Sequence, residues 1–364
     1  MEAKQHESNN NIDEELKNRV NIGEQEERPG FEDEEIRRLA KAQLAKRLKW
    51  GYKPTHEQQL SHLLQFLQSL PSLNMASEDE SSKAWLYETP TSFLQLLFGN
   101  VIKFSGYYYK HESSTFEESM IHNMDLCCER ANIKEGQNVI DLGCGYGAFV
   151  LHVAQKYKSC SVTGITCSIT QKHHIMEECK KLNLCNVKVI LADVATIELG
   201  TAFDRVFAFG MFEEINDYKL ILRKISNWMK PDGLFFVEHL CHKTLAYQNK
   251  LIDDQDWYEE YIFPSGGLIV PSASLLLYFQ DDLSVVYHWT YNGKHGARSF
   301  EKMLERTDAN IDTIKDMFTE FYGSKEKAIK FINYWRVFFI TAAEMFAYND
   351  GEEWMCSQLL FKKK

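Results

Sequence analysis

The sequence predicts an α/β protein built on a parallel sheet with helices on both faces. Three observations carry that expectation. Short apolar runs of four to six residues alternate with amphipathic stretches of 10–16 through the middle of the chain. A glycine-rich loop, Gly143-Cys-Gly145-Tyr-Gly147, joins the first run to the first stretch, and a Lys230-Pro-Asp-Gly233 turn closes the last stretch before its strand. Strand, helix and strand in repetition require crossover connections, and helical crossovers cover a parallel sheet on both sides.

Taken in order, the chain opens on charge. Residues 1–35 hold twelve acids against four bases, so most of the net charge of −11 lies there. The stretch includes the Asn9-Asn-Asn11 run and is too polar to bury a core, which predicts an acidic, disordered tail. The next fifteen residues reverse the sign, with Arg37, Arg38, Lys41, Lys46, Arg47 and Lys49 and no acid. Apolar residues at helical spacing predict helices over 32–50 (Ile36, Leu39, Ala40, Leu44, Leu48) and 56–70 (Leu60, Leu63, Leu64, Leu67). A polar loop over 74–82 follows, then helical stretches over 90–102 and 115–131. Residues 36–132 therefore read as an N-terminal helical cap.

Residues 133–364 read as the sheet domain. Strands are expected at Asn138–Asp141, Ser161–Ile165, Val187–Leu191, Arg205–Phe209 and Leu234–Glu238, with helices over 147–158, 168–182 and 216–230. Asp253 to Pro264 is an aromatic-rich loop. Val285–Tyr291 and Glu353–Phe361 add two strands, which makes seven. Between them Ser299 to Tyr348 reads as two long helices meeting near Tyr322-Gly323, a helical substrate cap over about 299–348.

Composition excludes several classes. Lys+Arg 41 against Asp+Glu 52 argues against nucleic acid or an anionic membrane as partner. No run of 18 apolar residues occurs, and the opening stretch has no apolar h-region. The nine cysteines include no CxxC pair, which fits reduced thiols in the cytoplasm rather than a zinc site or a disulfide scaffold.

Asp141-Leu-Gly143-Cys-Gly145-Tyr-Gly147 follows the first strand and opens a helix, so ligand and backbone can approach closely at the positive helix end. The spacing is not the G-x-G-x-x-G of dinucleotide binding, and the acid precedes the loop instead of following it by about 20 residues. S-adenosylmethionine carries an amino-acid tail and no pyrophosphate. An acid at the end of the first strand suits a loop that receives the tail's ammonium. The segment resembles the first motif of the Rossmann-like methyltransferases. Asp193, after the third strand, fits the adenine amino group or an N-cap. The second strand ends without the usual ribose-binding acid; Thr166, Ser168 and Gln171 stand there, and Ser168 also suits a helix cap.

With these motifs in register, the chain from about Phe104 resembles the cyclopropane-fatty-acid-synthase-like methyltransferases. From about Arg38 it more closely resembles the plant alkaloid N-methyltransferases that act on coclaurine, tetrahydroprotoberberines and pavines, with the phenylalkylamine N-methyltransferases an equally good match. The resemblance rests on Phe104-Ser-Gly-Tyr, Thr163-Gly-Ile-Thr-Cys-Ser, Val237-Glu-His-Leu-Cys-His-Lys-Thr, Asp256-Trp-Tyr-Glu-Glu-Tyr-Ile-Phe-Pro264, Tyr334-Trp-Arg336 and Gly351-Glu-Glu-Trp-Met355. It implies a Rossmann-like seven-stranded sheet and S-adenosylmethionine as cofactor. It implies that Ser105 holds the cofactor's carboxylate, with Phe104 replacing a tyrosine, and that Gly143, Gly145, Val194 and Phe209 line the cofactor site.

Cyclopropane synthases need a bound bicarbonate. Of the positions that hold it in the family, Gly106 replaces a cysteine and His295-Gly296 a His-Tyr, while Glu213 and His239 remain. A carboxylate and an imidazole without the other ligands suit a cationic amine. Only the neutral amine has a lone pair for in-line attack, and alkylamines are mostly protonated near neutral pH. Glu213 is therefore the expected carboxylate and His239 the base or relay, with Glu214 beside them. Adjacent residues on a helix do not share a face, so one glutamate alone should enter the pocket. Plain helix-terminal charge for the glutamates and a core role for His239 are the structural alternatives. Glu88 matches a family position contacting the amine. Tyr107, Tyr108, Trp257, Phe263, Trp335, Phe338 and Phe339 are candidates for an aromatic wall around aryl ring and cation, or for core. No acidic cluster suggests a metal. The expected function is N-methylation of a small arylalkylamine or benzylisoquinoline-type amine by a cytoplasmic enzyme, with a homodimer left open. The alternatives are a cyclopropane-type lipid methyltransferase and an inactive cofactor-binding subunit.

Overall fold

The computed structural model describes residues 33–73, 89–200, 202–249 and 268–364. The expected tail up to residue 32, the loop over 74–82 and the aromatic loop Asp253 to Pro264 lie outside the described residues. Helix α1 spans Asp33–Gly51, so the last three residues assigned to the tail are helical. Their acids, Asp33, Glu34 and Glu35, occupy the first turn, where the helix dipole favours negative charge. Helix α2 spans His56–Ser69, capped by Thr55, whose side chain accepts the Gln58 N–H. Helix α3, Thr91–Phe98, is shorter than the apolar stretch suggests because Gly99, at φ 74°, turns the chain out of it. Helix α4, Phe116–Arg130, begins with a capping box of Thr115 and Glu118.

The sheet follows the expected rhythm: β1 Asn138–Leu142, α5 Ala148–Lys156, β2 Ser161–Thr166, α6 Ile169–Lys181, β3 Val187–Leu191, β4 Phe203–Phe209, α7 Tyr218–Trp228 and β5 Met229–His242. The Lys230–Gly233 turn is absorbed into β5 as an irregularity, since Phe203 pairs with Met229 and Arg205 with Leu234. Two strands of two residues, β6 Tyr247–Gln248 and β7 Ile269–Val270, form a separate antiparallel ribbon too short to show a sequence period. Then come β8 Leu283–Tyr291, α8 Lys294–Ala309, α9 Ile311–Tyr322, α10 Lys325–Gly351 and β9 Trp354–Lys363. The C-terminal cap therefore holds three helices where the sequence suggests two. Gly323, at φ 69°, ends α9 where expected, and Asn310 adds a second break.

The seven strands are ordered β3-β2-β1-β4-β5-β9-β8, parallel through β5, with β9 antiparallel to both β5 and β8. The chain moves outward from β1 to β3 and then returns to the far side of β1. This puts the topological switch between β1 and β4, where open α/β sheets bind ligands beyond their carboxyl ends. Both faces are covered: Ile140, Val206, Phe235 and Ile221 share one core cluster, and Val139, Phe207, Phe236 and Val153 another.

A third core joins the N-terminal and C-terminal helices. Phe93 of α3 meets Phe318 of α9 at 4.8 Å and Trp335 of α10 at 5.4 Å between ring centroids. Ion pairs clamp the same layers. Arg37 of α1 reaches Glu301 of α8 at 2.6 Å and Glu344 of α10 at 2.9 Å. Arg336 of α10 reaches back to Asp33 at 2.6 Å and also pairs with Asp308. Part of the basic run is thus consumed inside the fold. Among the described residues no helix is long and apolar enough to cross a membrane, and no group of His, Cys, Asp and Glu could hold a metal ion.

Candidate active site

Three glycines carry the chain from β1 into α5. Gly143, Gly145 and Gly147 lie at φ 68°, 53° and 79°, backbone that favours glycine. Gly147 has a second reason to lack a side chain, because a Cβ there would fall 2.5 Å from Ile175 Cγ1. Beneath the loop, Asp141 is 2% exposed and its Oδ1 has no hydrogen-bond partner. Burial pushes its carboxyl up to about 8, against the opposing pull of the Lys103 ammonium. A buried carboxylate with an unused oxygen beside a glycine cradle fits the ammonium of an amino-acid tail.

At the end of β2, Thr166 donates to Gln171 Oε1 at 2.5 Å and accepts the Ser168 N–H at 3.1 Å. Ser168 Oγ accepts the Gln171 N–H at 3.3 Å, so Ser168 is the N-cap of α6. Asp193, after β3, is exposed and uses Oδ1 on the Ala195 N–H at 2.7 Å, in a local turn. Val194 beside it is half-buried. At the end of β4, Phe209 packs on Phe149 at 4.8 Å with the Lys103 ammonium 5.4 Å from its ring centre.

Gly210, at φ 60°, then turns the chain into a single 3-10 turn, Phe212–Glu214. The two adjacent glutamates separate as expected: Glu213 is buried and Glu214 exposed. Glu213 Oε1 accepts the Leu240 N–H at 2.8 Å, while Oε2 has no hydrogen-bond partner. Burial pushes Glu213 up to about 8, assisted by the charges of Glu214 and Glu238. His239 is buried, with Nδ1 2.9 Å from the Leu240 carbonyl and Nε2 unpartnered. Burial pushes it down to about 4, which makes it a weak base. No hydrogen bond joins Glu213 to His239 among the described residues; they bind opposite ends of Leu240.

The aromatic candidates divide. Trp335 and Phe339 are buried in the helical core with Phe93, packing on one another at 5.4 Å, so they behave as core residues. Tyr107 is core as well, its hydroxyl donated to the Lys103 carbonyl at 2.8 Å. Tyr108 stacks on His295 at 5.0 Å, against the start of α8. Phe338 is half-buried and meets Phe300 edge-on at 5.7 Å. Phe104 is 38% exposed, its ring 4.8 Å from Phe98 and 6.4 Å from Trp335. Ser105 sits against Gly210, whose Cβ would lie 3.5 Å from its own. Glu88, Trp257 and Phe263 lie outside the described residues.

Sequence reasoning missed a buried polar group under this site. Glu238 accepts Asn123 Nδ2 at 2.9 Å, the Tyr291 hydroxyl at 3.2 Å and Gln358 Nε2. The available signal was a glutamate following Phe235, Phe236 and Val237 in a central strand.

A family profile described as mycolic acid cyclopropane synthetase matches residues 75–354. Pavine N-methyltransferase of Thalictrum flavum subsp. glaucum is 56% identical over 332 residues, spanning 91% of this chain and 93% of that protein. (S)-coclaurine N-methyltransferase of Papaver somniferum is 52% identical over 332 residues, spanning 91% and 95%. Among solved structures, a coclaurine N-methyltransferase bound to N-methylheliamine and SAH superposes with a TM-score of 0.89 at 51% identity. The match covers 92% of this chain and 96% of that one.

Proposed function

Because the chain belongs to the plant alkaloid N-methyltransferases of the mycolic acid cyclopropane synthetase family, we propose that its substrate is a benzylisoquinoline-type amine and that Glu213 receives that amine. It is an S-adenosylmethionine-dependent amine N-methyltransferase. The cofactor supplies an electrophilic methyl group. The chain's own residues must orient the amine and take up its proton.

The observation that carries the reading is the unpartnered Oε2 of Glu213, on a carboxyl buried in the 3-10 turn that follows β4. An arriving ammonium supplies the missing partner, and its charge draws the carboxyl into the ionised form. Leu240 N–H holds the other oxygen, so the carboxylate is positioned before the amine arrives. As nitrogen approaches the methyl group, Glu213 takes the proton, a role matched to a group that titrates near 8. His239 stays neutral and supports the Leu240 backbone that Glu213 leans on. Asp141 takes the cofactor's ammonium over the Gly143–Gly147 cradle, Thr166 and Gln171 face the ribose, and Asp193 offers Oδ2 to the adenine.

The nine cysteines are all free thiols, which supports a reducing, cytoplasmic setting. The experiment is incubation with methyl-labelled cofactor and a mixture of benzylisoquinolines, protoberberines, phenylalkylamines and unsaturated phospholipid, read by mass spectrometry. Label on a benzylisoquinoline nitrogen is expected. Label confined to phenylalkylamines or to lipid overturns the substrate assignment.

A further inference from the structure

Residues 103–107 form a strap beside the ends of β1 and β4 and against Glu238 of β5, and a buried ammonium lies under it. Lys103 is 6% exposed. One of its three N–H donors goes to the Ser105 carbonyl, and Tyr107 donates back to the Lys103 carbonyl at 2.8 Å, which closes the strap on itself. Gly106, at φ 72°, lets the strap lie low. A Cβ there would collide with Glu238 Oε1 and sit 2.7 Å from Asn123 Oδ1 and 2.8 Å from Lys103 Nζ.

A buried ammonium is costly unless opposite charge faces it. Two carboxyl groups lie near it, and Asp141 gains its charge when a ligand's ammonium arrives. Glu238, in β5 opposite the last residue of β4, spends Oε2 on Asn123, Tyr291 and Gln358 and leaves Oε1, turned toward Gly106, without a hydrogen bond. Asp141, at the end of β1, leaves Oδ1 without one, and the Lys103 charge is felt there. Among the described residues no ion pair joins Lys103 to either carboxylate, so cation and anion both keep capacity for a ligand.

The amino-acid end of the cofactor bears an ammonium and a carboxylate on one carbon. Such a zwitterion is recognised by an anion and a cation set side by side. We propose that Lys103 is the counter-charge for the cofactor's carboxylate, paired with Asp141 on its ammonium, and that Glu238, on the other side of Gly106, offsets the buried Lys103 charge without contacting it. Ser105 then acts as a neutral neighbour of the charge, not as the whole carboxylate site.

The test compares S-adenosylhomocysteine with 5′-methylthioadenosine, which keeps the nucleoside and lacks the amino-acid end. By calorimetry, Lys103→Met should bind S-adenosylhomocysteine about tenfold or more weakly and 5′-methylthioadenosine within about twofold of the parent. Its KM for the cofactor should rise while its KM for the amine holds. Equal weakening of both ligands reveals a merely structural role and overturns the proposal, as does unchanged S-adenosylhomocysteine binding. Should Lys103→Met not fold, Lys103→Gln keeps a donor for Ser105 and removes only the charge. The same selective loss is expected of it, and a matched loss for both ligands overturns the proposal again.

Discussion

Glu213 and Glu214 are neighbours in sequence with opposite fates, one buried and one exposed. The buried member has one oxygen fixed and one open, so Glu213→Gln should lower kcat about a hundredfold or more and leave the cofactor KM nearly unchanged. His239→Gln should cost much less, because an imidazole pushed down to about 4 does not compete for the proton. Equal losses in the two variants would restore His239 as the base. The raised carboxyl sets a direction for pH. Below about 8 Glu213 is mostly protonated in the free enzyme, and above it is charged. A quaternary ammonium analogue of the amine should therefore bind more tightly as pH rises through about 8, and Glu213→Gln should flatten that rise. A flat profile in the parent enzyme would sink the assignment. Backbone geometry was legible where a motif fixes it, as at Gly143 to Gly147. The surroundings of Lys103 and Glu238 were not, since a charged side chain in an apolar run gives no sign of which buried partner it meets.

At the scale of elements, α1 is tied to α8 and α10 by side chains far apart in sequence. Arg37 and Arg336 are each partly buried and each bind two carboxylates, so the clamp is stiffer than an exposed surface pair. Removing its Arg37 half with Arg37→Ala should cost about 1–2 kcal/mol of stability, read as a lower denaturant midpoint, with a smaller loss at high salt. No change in the midpoint would show that the pairs are ornamental. The basic run in α1 was visible in the sequence, yet its partners were not, because Glu301 and Glu344 come more than 250 residues later. Helix boundaries were read well where a cap or glycine marks them, as at Thr115 and Gly323. The break at Asn310 carries no such mark, and β6 and β7 are too short to show a period. Trp335 and Phe339 display the ambiguity of an aromatic helix face: the same spacing serves a ligand wall and a core, and here both rings pack on Phe93 or on each other.

Across the whole molecule, buried titratable groups pull stability in opposite directions along the pH axis. Asp141 and Glu213 are raised to about 8, so their contribution to folding is full below their unfolded values near 4 and is lost as pH rises through 8. His239 and His242 are lowered to about 4, so theirs is full above 6.5 and is lost as pH falls through 4. Between about pH 4 and 6.5 the two trends offset, so the melting temperature of the unliganded protein should be nearly level there and fall as pH rises from about 6.5 to 8. Glu213→Gln should raise the melting temperature at pH 9, and no gain there would contradict the burial argument. The architecture itself was largely readable: seven strands, a glycine loop at the switch point and helices at both ends all follow from period and punctuation. The strand order was not readable from pattern, and it has a consequence for biosynthesis. β8 leaves the ribosome before β9 yet, among the described residues, has no neighbour in the sheet except β9, which slides between it and β5. A nascent chain halted before residue 354 would hold β5 as an open edge and β8 as an orphan, with α8–α10 lacking the strand they lead into. Arrested chains of that length should lose β8 to protease while β1–β4 resist, and the cut should vanish once β9 emerges. Vectorial synthesis thus leaves the keystone of the sheet until last.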